Sequence, residues 1–200
     1  MKLKVYLGVC AILLSSIALL AQNQTKKEMS ADEKAAMEAM MKAGTPGEAH
    51  KQLAPLVGTW NVVVKMFPQP GAPAQESKGT AVNKWVLGGR WVQENFTGKF
   101  MNMPFTGIGY TGYDNIKKQY TGTWMDSMST ATMSSLGTGD TSGNTYEFNS
   151  TMDDPMNGKP MAIKEKVTVA DKNHHTMEMW APAPDGTVYK MMEINYTRKK

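Results

Sequence analysis

From residue 58 onward the chain alternates apolar and polar positions in short runs divided by turn residues. Trp60, Val62, Val64 and Met66 share one face of an extended segment, and Asn61 and Lys65 fall on the other, together with Val63 and Phe67. Recurrence of this two-residue period predicts strands over 58–67, 77–87, 90–100, 103–113, 118–126, 129–137, 145–153, 161–169, 175–181 and 188–198. Turn signals such as "PQPGAP", "LGG", "YDN", "GDTSGN", "ADKN" and "APAPDG" mark the breaks. No long helical pattern interrupts the series, which argues against β-α-β units. About ten consecutive antiparallel strands predict an all-β, up-and-down barrel, because closure removes the exposed edges of so long a sheet. A two-sheet sandwich is the other architecture this pattern allows.

Two helical segments precede the strands. "SADEKAAMEAMMKAG" offers Ser30 as N-cap, acids in the first turn and Gly44 at the stop. A second start places Thr45 at the N-cap, Pro46 at the first helical position and Glu48 at the capping-box spacing, ending near Pro55. At the far end of the chain, a tight turn at Asp185–Gly186 sets Pro184 opposite Thr187. Met179 then faces Met192, Met177 faces Ile194 and His175 faces Tyr196, all on an apolar and therefore interior face. The same register puts Glu178 opposite Glu193 and Trp180 opposite Met191 on the outside.

Composition adds a compartment. Lys2 and Lys4, an apolar run from Val5 to Leu20 and the small residue Ala21 have the layout of a secretory signal peptide over residues 1–21. The expected organisation is therefore a leader (1–21), a polar linker with a marginal helix (22–44) and one barrel domain (45–200), periplasmic or secreted. No stable membrane span is expected once the leader is removed. The single cysteine, Cys10, lies in that leader, so a disulfide framework, a zinc–thiolate site and a cysteine nucleophile are excluded from the mature chain. Two lysines leave with the leader, which lowers the net charge from +4 to +2. No basic stripe points to nucleic acid. Oligomeric state is not readable from the sequence.

Certain motifs resemble a known class of folds. "GTW" (Gly58, Thr59, Trp60) after a short helix is similar to the G-x-W that opens lipocalin-like, or calycin, barrels, and Arg198 in "EINYTRKK" resembles the basic residue that packs across that Trp. "HKQLAPLVGTW", "WVLGGRWVQE", "GIGYTGYDN", "YTGTWMDSMST" and "MMEINYTR" together resemble a bacterial family of exported proteins classed as a domain of unknown function. The resemblance implies a calycin-like barrel of about ten strands, structural roles for Gly58, Trp60 and Arg198, and an exported location. It implies no catalytic residue.

The expected activity is non-enzymatic binding or carriage of a small, largely apolar ligand inside the barrel, with no cofactor. Candidate ligand-binding residues are Trp60, Glu94, Tyr113, Trp124, Asp126, Met177, Met179 and Tyr196. Glu94 shares a face with Val92 and Phe96, where a buried acid needs a partner or a polar ligand group. Trp124 and Asp126 set an aromatic platform beside a carboxylate. One alternative is an enzyme using Glu94, Asp126 or Glu178 as general acid or base. Another is a soft-metal (copper) or haem site at the strand "HHTMEMW". The chain carries 18 methionines, but their scattering along the sequence favours adaptable core packing over a dedicated metal site. His50 is expected at a helix surface, His174 and His175 at a solvent-exposed rim, and Glu178 and Glu193 on the outer face beside Lys190. The glycines of "GIGYTGYDN" are expected to relieve barrel curvature or open a turn.

Overall fold

A computed structural model describes residues 28–154 and 157–200; the expected leader lies outside the described residues. Helix α1 (Ala31–Gly44) begins as its sequence requires, with Ser30 Oγ accepting the Glu33 N–H (3.2 Å) and the Glu33 carboxylate accepting the Ser30 N–H (2.7 Å). It buries no residue. No described helix is long and apolar enough to cross a membrane.

Ten strands follow: β1 (Gly58–Met66), β2 (Gln75–Val86), β3 (Trp91–Phe100), β4 (Met103–Asp114), β5 (Gln119–Asp126), β6 (Met133–Gly139), β7 (Thr145–Asp153), β8 (Pro160–Asp171), β9 (His174–Pro182) and β10 (Val188–Arg198). Each pairs antiparallel with its sequence neighbours, and β1 pairs with β10 to close the barrel. The architecture is the expected all-β, up-and-down barrel. β6 starts four residues later than its pattern predicts, because side chains capture the preceding backbone. Asp126 accepts the Met128 N–H (2.9 Å) and Ser129 Oγ accepts the Ala131 N–H (2.9 Å), which diverts this segment from the ladder.

The last hairpin keeps its expected register over most of its length. Met179 pairs with Met192, Glu178 with Glu193, Met177 with Ile194 and Tyr196 with His175. Its turn differs. Ala183 and Thr187 close a loop of three residues, not two, with Gly186 at φ 85°. The extra loop residue is absorbed by a bulge at Met191, so Trp180 pairs with Lys190 and not with Met191.

A plug closes one barrel end. Helix α2 (Glu48–Lys51) and a 3-10 turn (Ala54–Leu56) carry Leu53 into a core of Val92, Tyr120, Tyr146, Phe148 and Val169, where it is fully buried. Helix α2 begins later than its sequence signals suggest. The Asn115 side chain holds the carbonyls of Ala43 and Thr45, and Gly47 serves as N-cap, its N–H bonded to His50 Nδ1 (3.1 Å). His50 is therefore buried against Tyr113, not at the surface.

Arg198 ties the plug to the last strand. Its guanidinium lies 4.1 Å above the Trp60 ring and donates to the carbonyls of Val57 (2.9 Å), Pro55 (3.1 Å) and Lys172 (2.6 Å). Trp60 Nε1 donates to Leu56 O (3.0 Å). Gly58, at φ 145°, leaves the space this guanidinium occupies; a β-carbon there would collide with it. The G-x-W opening is thus one interlocked unit of Gly58, Trp60 and Arg198.

Candidate ligand-binding site

Above the plug the inward faces of the strands enclose a cavity of about 380 Å³. It runs from Leu56, Asn83 and Val92 beside the plug to Lys99, Met128 and Ser129, exposed residues at the opposite rim. The wall is mostly apolar. Methionines that are far apart in sequence converge on it: Met133, Met152, Met161, Met177, Met191 and Met192 pack around Ile163, Met179 and Ala181. Sequence scatter is therefore not spatial scatter: the thioethers meet in the interior as adaptable packing. These side chains form one flexible, polarisable wall on β6 to β10.

Trp124 lines the opposite side, its ring seated where Gly107 and Gly109 on β4 carry no side chain. A β-carbon at Gly107 would overlap the ring. The glycines of "GIGYTGYDN" thus make room for indoles: Gly107 and Gly109 for Trp124, Gly112 for Trp91. Asp126 fixes Trp124 by accepting its Nε1–H (3.0 Å), and its second oxygen takes the Met128 N–H. Both carboxylate oxygens of Asp126 are thereby engaged in holding the indole and the strand end.

Three polar groups interrupt the inward apolar phase. Glu94 stands between Val92 and Phe96 and is half-buried, facing the cavity. Its carboxyl is pushed up to about 7 by desolvation. Its two hydrogen bonds, from Asn83 Nδ2 and from Tyr196 Oη, are both long at 3.4 Å. Glu165 is 5% exposed and is held by the hydroxyls of Ser135 (2.9 Å) and Ser150. Burial raises its pKa too, and the serines only partly offset it. Asn83 is 5% exposed, and its Oδ1 has no hydrogen-bond partner.

His175 is not at a solvent-exposed rim. It lies at the closed end, stacked on Tyr196 (ring centroids 4.1 Å apart) and edge-on to Trp60 (4.3 Å), with Nδ1 buried and unpartnered. Desolvation, aided by Arg198, lowers its pKa to about 3, so it is neutral at physiological pH. His174 is exposed and bonds Asp171. Among the described residues no group of three or more His, Cys, Asp or Glu side chains could hold a metal ion.

Of the residues singled out from sequence, Glu94, Trp124, Asp126, Met177, Met179 and Tyr196 line the cavity. Trp60 lies beneath it as part of the floor, with no exposed surface, and Tyr113 packs between His50 and Tyr120 in the plugged end. Neither lines the cavity. Glu178 faces outward, where Lys190 bridges it (3.0 Å) to Glu193 (2.6 Å). The family model described as "Protein of unknown function (DUF1579)" matches residues 45–198.

The chain belongs to the DUF1579 family. No curated protein sequence matches it. Among solved structures it is similar to Rv2717c from M. tuberculosis, at 15% identity and a TM-score of 0.59, covering 78% of this chain and all (100%) of that one. A redesigned β-barrel matches at 14% identity and a TM-score of 0.41, covering 74% of this chain and 96% of that chain. The first of these likenesses supports the barrel fold.

Sequence reasoning missed Glu165, Asn83 and the depth of His175 in this DUF1579 barrel. The signal for Glu165 was present: Met161, Ile163, Val167 and Val169 share its phase, and the flanking Lys164 and Lys166 disguise it as a surface position. Asn83 likewise shares the phase of Ala81 and Trp85.

Proposed function

We propose that the barrel binds a small, largely apolar molecule without transforming it. The observation that carries this reading is the cavity of about 380 Å³, which reaches the rim between Lys99 and Ser129 and is walled by Trp124, Phe96, Phe105 and the methionine cluster. Flexible thioethers suit a cavity that adapts to its ligand, and aromatic walls supply much of the contact area. The plug provides a rigid floor. The leader-like residues 1–21 support action outside the cytoplasm, and N-terminal sequencing of protein recovered from cell fractions tests that part.

The test of binding is native mass spectrometry of protein purified from its own host, combined with titration of an uncharged solvatochromic dye. The expected result is a retained or saturable one-to-one adduct, with quenching of Trp124 fluorescence that a Trp124→Phe variant loses. Absence of any adduct and of dye binding defeats the reading.

A second reading has its own observation. Glu94 is poised about 7 inside the cavity, the value a general acid or base needs near neutral pH. It predicts chemical change in a bound ligand during incubation with the protein, abolished in Glu94→Gln. Recovery of every bound ligand unaltered eliminates it.

A further inference from the structure

We propose that the ligand carries a hydrogen-bond-donating cationic head, foremost a primary ammonium group, which docks at the inner end of the cavity on Glu94 and Asn83 beside Tyr196. This rests on the reading of the barrel as a ligand carrier and specifies the chemistry of what it carries.

The polar groups at the inner end are mostly acceptors that lack donors. Asn83 Oδ1 is buried without any partner, although Asn83 Nδ2 donates to Leu56 O (3.0 Å) and weakly to Glu94. A buried carbonyl oxygen left unpaired is costly, and a ligand donor recovers that cost. Glu94 receives only its two 3.4 Å contacts, both at the outer limit of a hydrogen bond. Glu165 lies on the same cavity, close enough to Tyr196 to raise the pKa of its hydroxyl. Both serine contacts of Glu165 fall on or near Oε1.

Among the described residues no lysine or arginine pairs with these acids, and His175, which also lines the cavity, is neutral. The described ion pairs are Lys51–Glu48, Lys65–Glu193, His174–Asp171, Lys190–Glu178 and Lys190–Glu193, and none includes Glu94 or Glu165. The lysine that lines the cavity, Lys99, sits at the exposed rim. A buried carboxyl with no cation of its own suits a ligand that brings one. An ammonium supplies three donors in a compact head, which matches the Glu94 oxygens and the unpaired Asn83 Oδ1. The apolar walls above take an alkyl or aryl tail.

The experiment displaces an uncharged dye from the full chain with decylamine, decanol, decanoate and decyltrimethylammonium, each below its micellar concentration. Decylamine is expected to bind about ten-fold or more tightly than decanoate, with decanol between them. The net charge, +4 for the whole sequence and +2 without residues 1–21, attracts decanoate, so a preference for the amine opposes the field of the whole molecule and reports the cavity. Glu94→Gln is expected to reduce the preference for decylamine over decanoate about ten-fold, read as a ratio of the two affinities on the same variant. Equal or tighter binding of decanoate overturns the proposal, as does decyltrimethylammonium binding as well as decylamine, since it offers charge without donors. In either case dye binding persists and the carrier reading stands. Failure of the dye and of all four competitors removes the carrier reading itself. The ranking on the unmodified protein decides the matter even if a variant does not fold.

Discussion

The two ends of this barrel are built on opposite principles. At the plugged end polar groups tie the plug to the strands: Trp60 Nε1 reaches Leu56, Arg198 reaches three carbonyls, and the Tyr120 and Tyr146 hydroxyls bond the plug at Ala49 and Gln52, with Asn83 Oδ1 and His175 Nδ1 as the exceptions. Rigid aromatic rings fill the interior. Around the cavity above it much of the wall is methionine, two acids lack counter-charges, and space is left unfilled. One end supplies stability and the other retains room and unmet polar demand, so changes at the two ends should separate folding from binding. The sharpest break comes from Leu53→Ala. Leu53 has no exposed surface and belongs to a core cluster with five other buried residues, so its loss is expected to cost about 2–5 kcal/mol. Urea unfolding should show a lower midpoint with an unchanged slope. A loss under about 1 kcal/mol shows that the plug is dispensable and the comparison misdrawn.

Acid and base titrations divide along the same line. Glu94, which faces the cavity, has a folded pKa raised from 4.5 to about 7. Its contribution to stability is full below the unfolded value and is lost as pH rises through the folded one, on the order of 3 kcal/mol in all. Glu165 acts in the same direction. His175, at the closed end, has its pKa lowered from 6.5 to about 3, so its contribution is present above 6.5 and is lost as pH falls. The two oppose each other between about pH 4.5 and 6.5, which flattens the stability profile of the parent protein there. Glu94→Gln removes one side of this opposition. Relative to the parent, the variant should gain about 3 kcal/mol between roughly pH 4 and pH 8, measured by urea unfolding at each pH. A pH-independent difference would mean that Glu94 is solvated and the inner end of the cavity is not what it is taken to be.

The sequence carried the fold better than the site. Period-two alternation located all ten strands, and most of the β9–β10 register held despite the longer turn, because the bulge at Met191 restores the phase that keeps Met177, Met179 and Ile194 inward. The bulge at Met191 was not legible, since a two-residue and a three-residue loop both fit "APAPDGTV". Glu94 was visible as a polar residue on an apolar face. Glu165 was hidden by the lysines beside it, and its serine partners come from the two preceding strands, β6 and β7, outside any local window. The methionine wall was invisible for the same reason: five strands contribute to it, and no local window contains it. His50 and His175 were misplaced because a histidine in sequence gives no sign of whether aromatic rings will enclose it.

Gly107→Ala tests how tightly the open half is specified. The added methyl would enter the seat of the Trp124 ring and push the indole toward the cavity. Overpacking of this kind costs about 1–3 kcal/mol. The methionine wall can take up part of the displacement, so the lower half of that range is expected. Dye affinity should fall more than stability does. The tightly packed closed end has no comparable slack, and Gly137→Ala, which meets the Glu147 carbonyl and the Phe148 ring, should cost more stability. The reverse order would show that the open half is as rigid as the plug.

The smallest effect is expected on the outer face. Lys190 bridges Glu178 and Glu193, and Lys65 adds a contact to Glu193 at 3.2 Å, an arrangement that lowers the Glu193 pKa to about 2. Taken at face value, that shift suggests a strong interaction. The four side chains are between 21% and 34% exposed, however, and solvent screening of such pairs leaves well under its nominal worth. Lys190→Ala is therefore expected to cost less than about 1 kcal/mol, even though it leaves Glu178 and Glu193 directly opposite each other. The cost should shrink further in about 1 M salt, where exposed charges are screened within a few ångströms. A salt-insensitive loss of several kcal/mol would place this cluster among the structural supports of the barrel, and the division between a stabilising end and a binding end would need a third member on its outer wall.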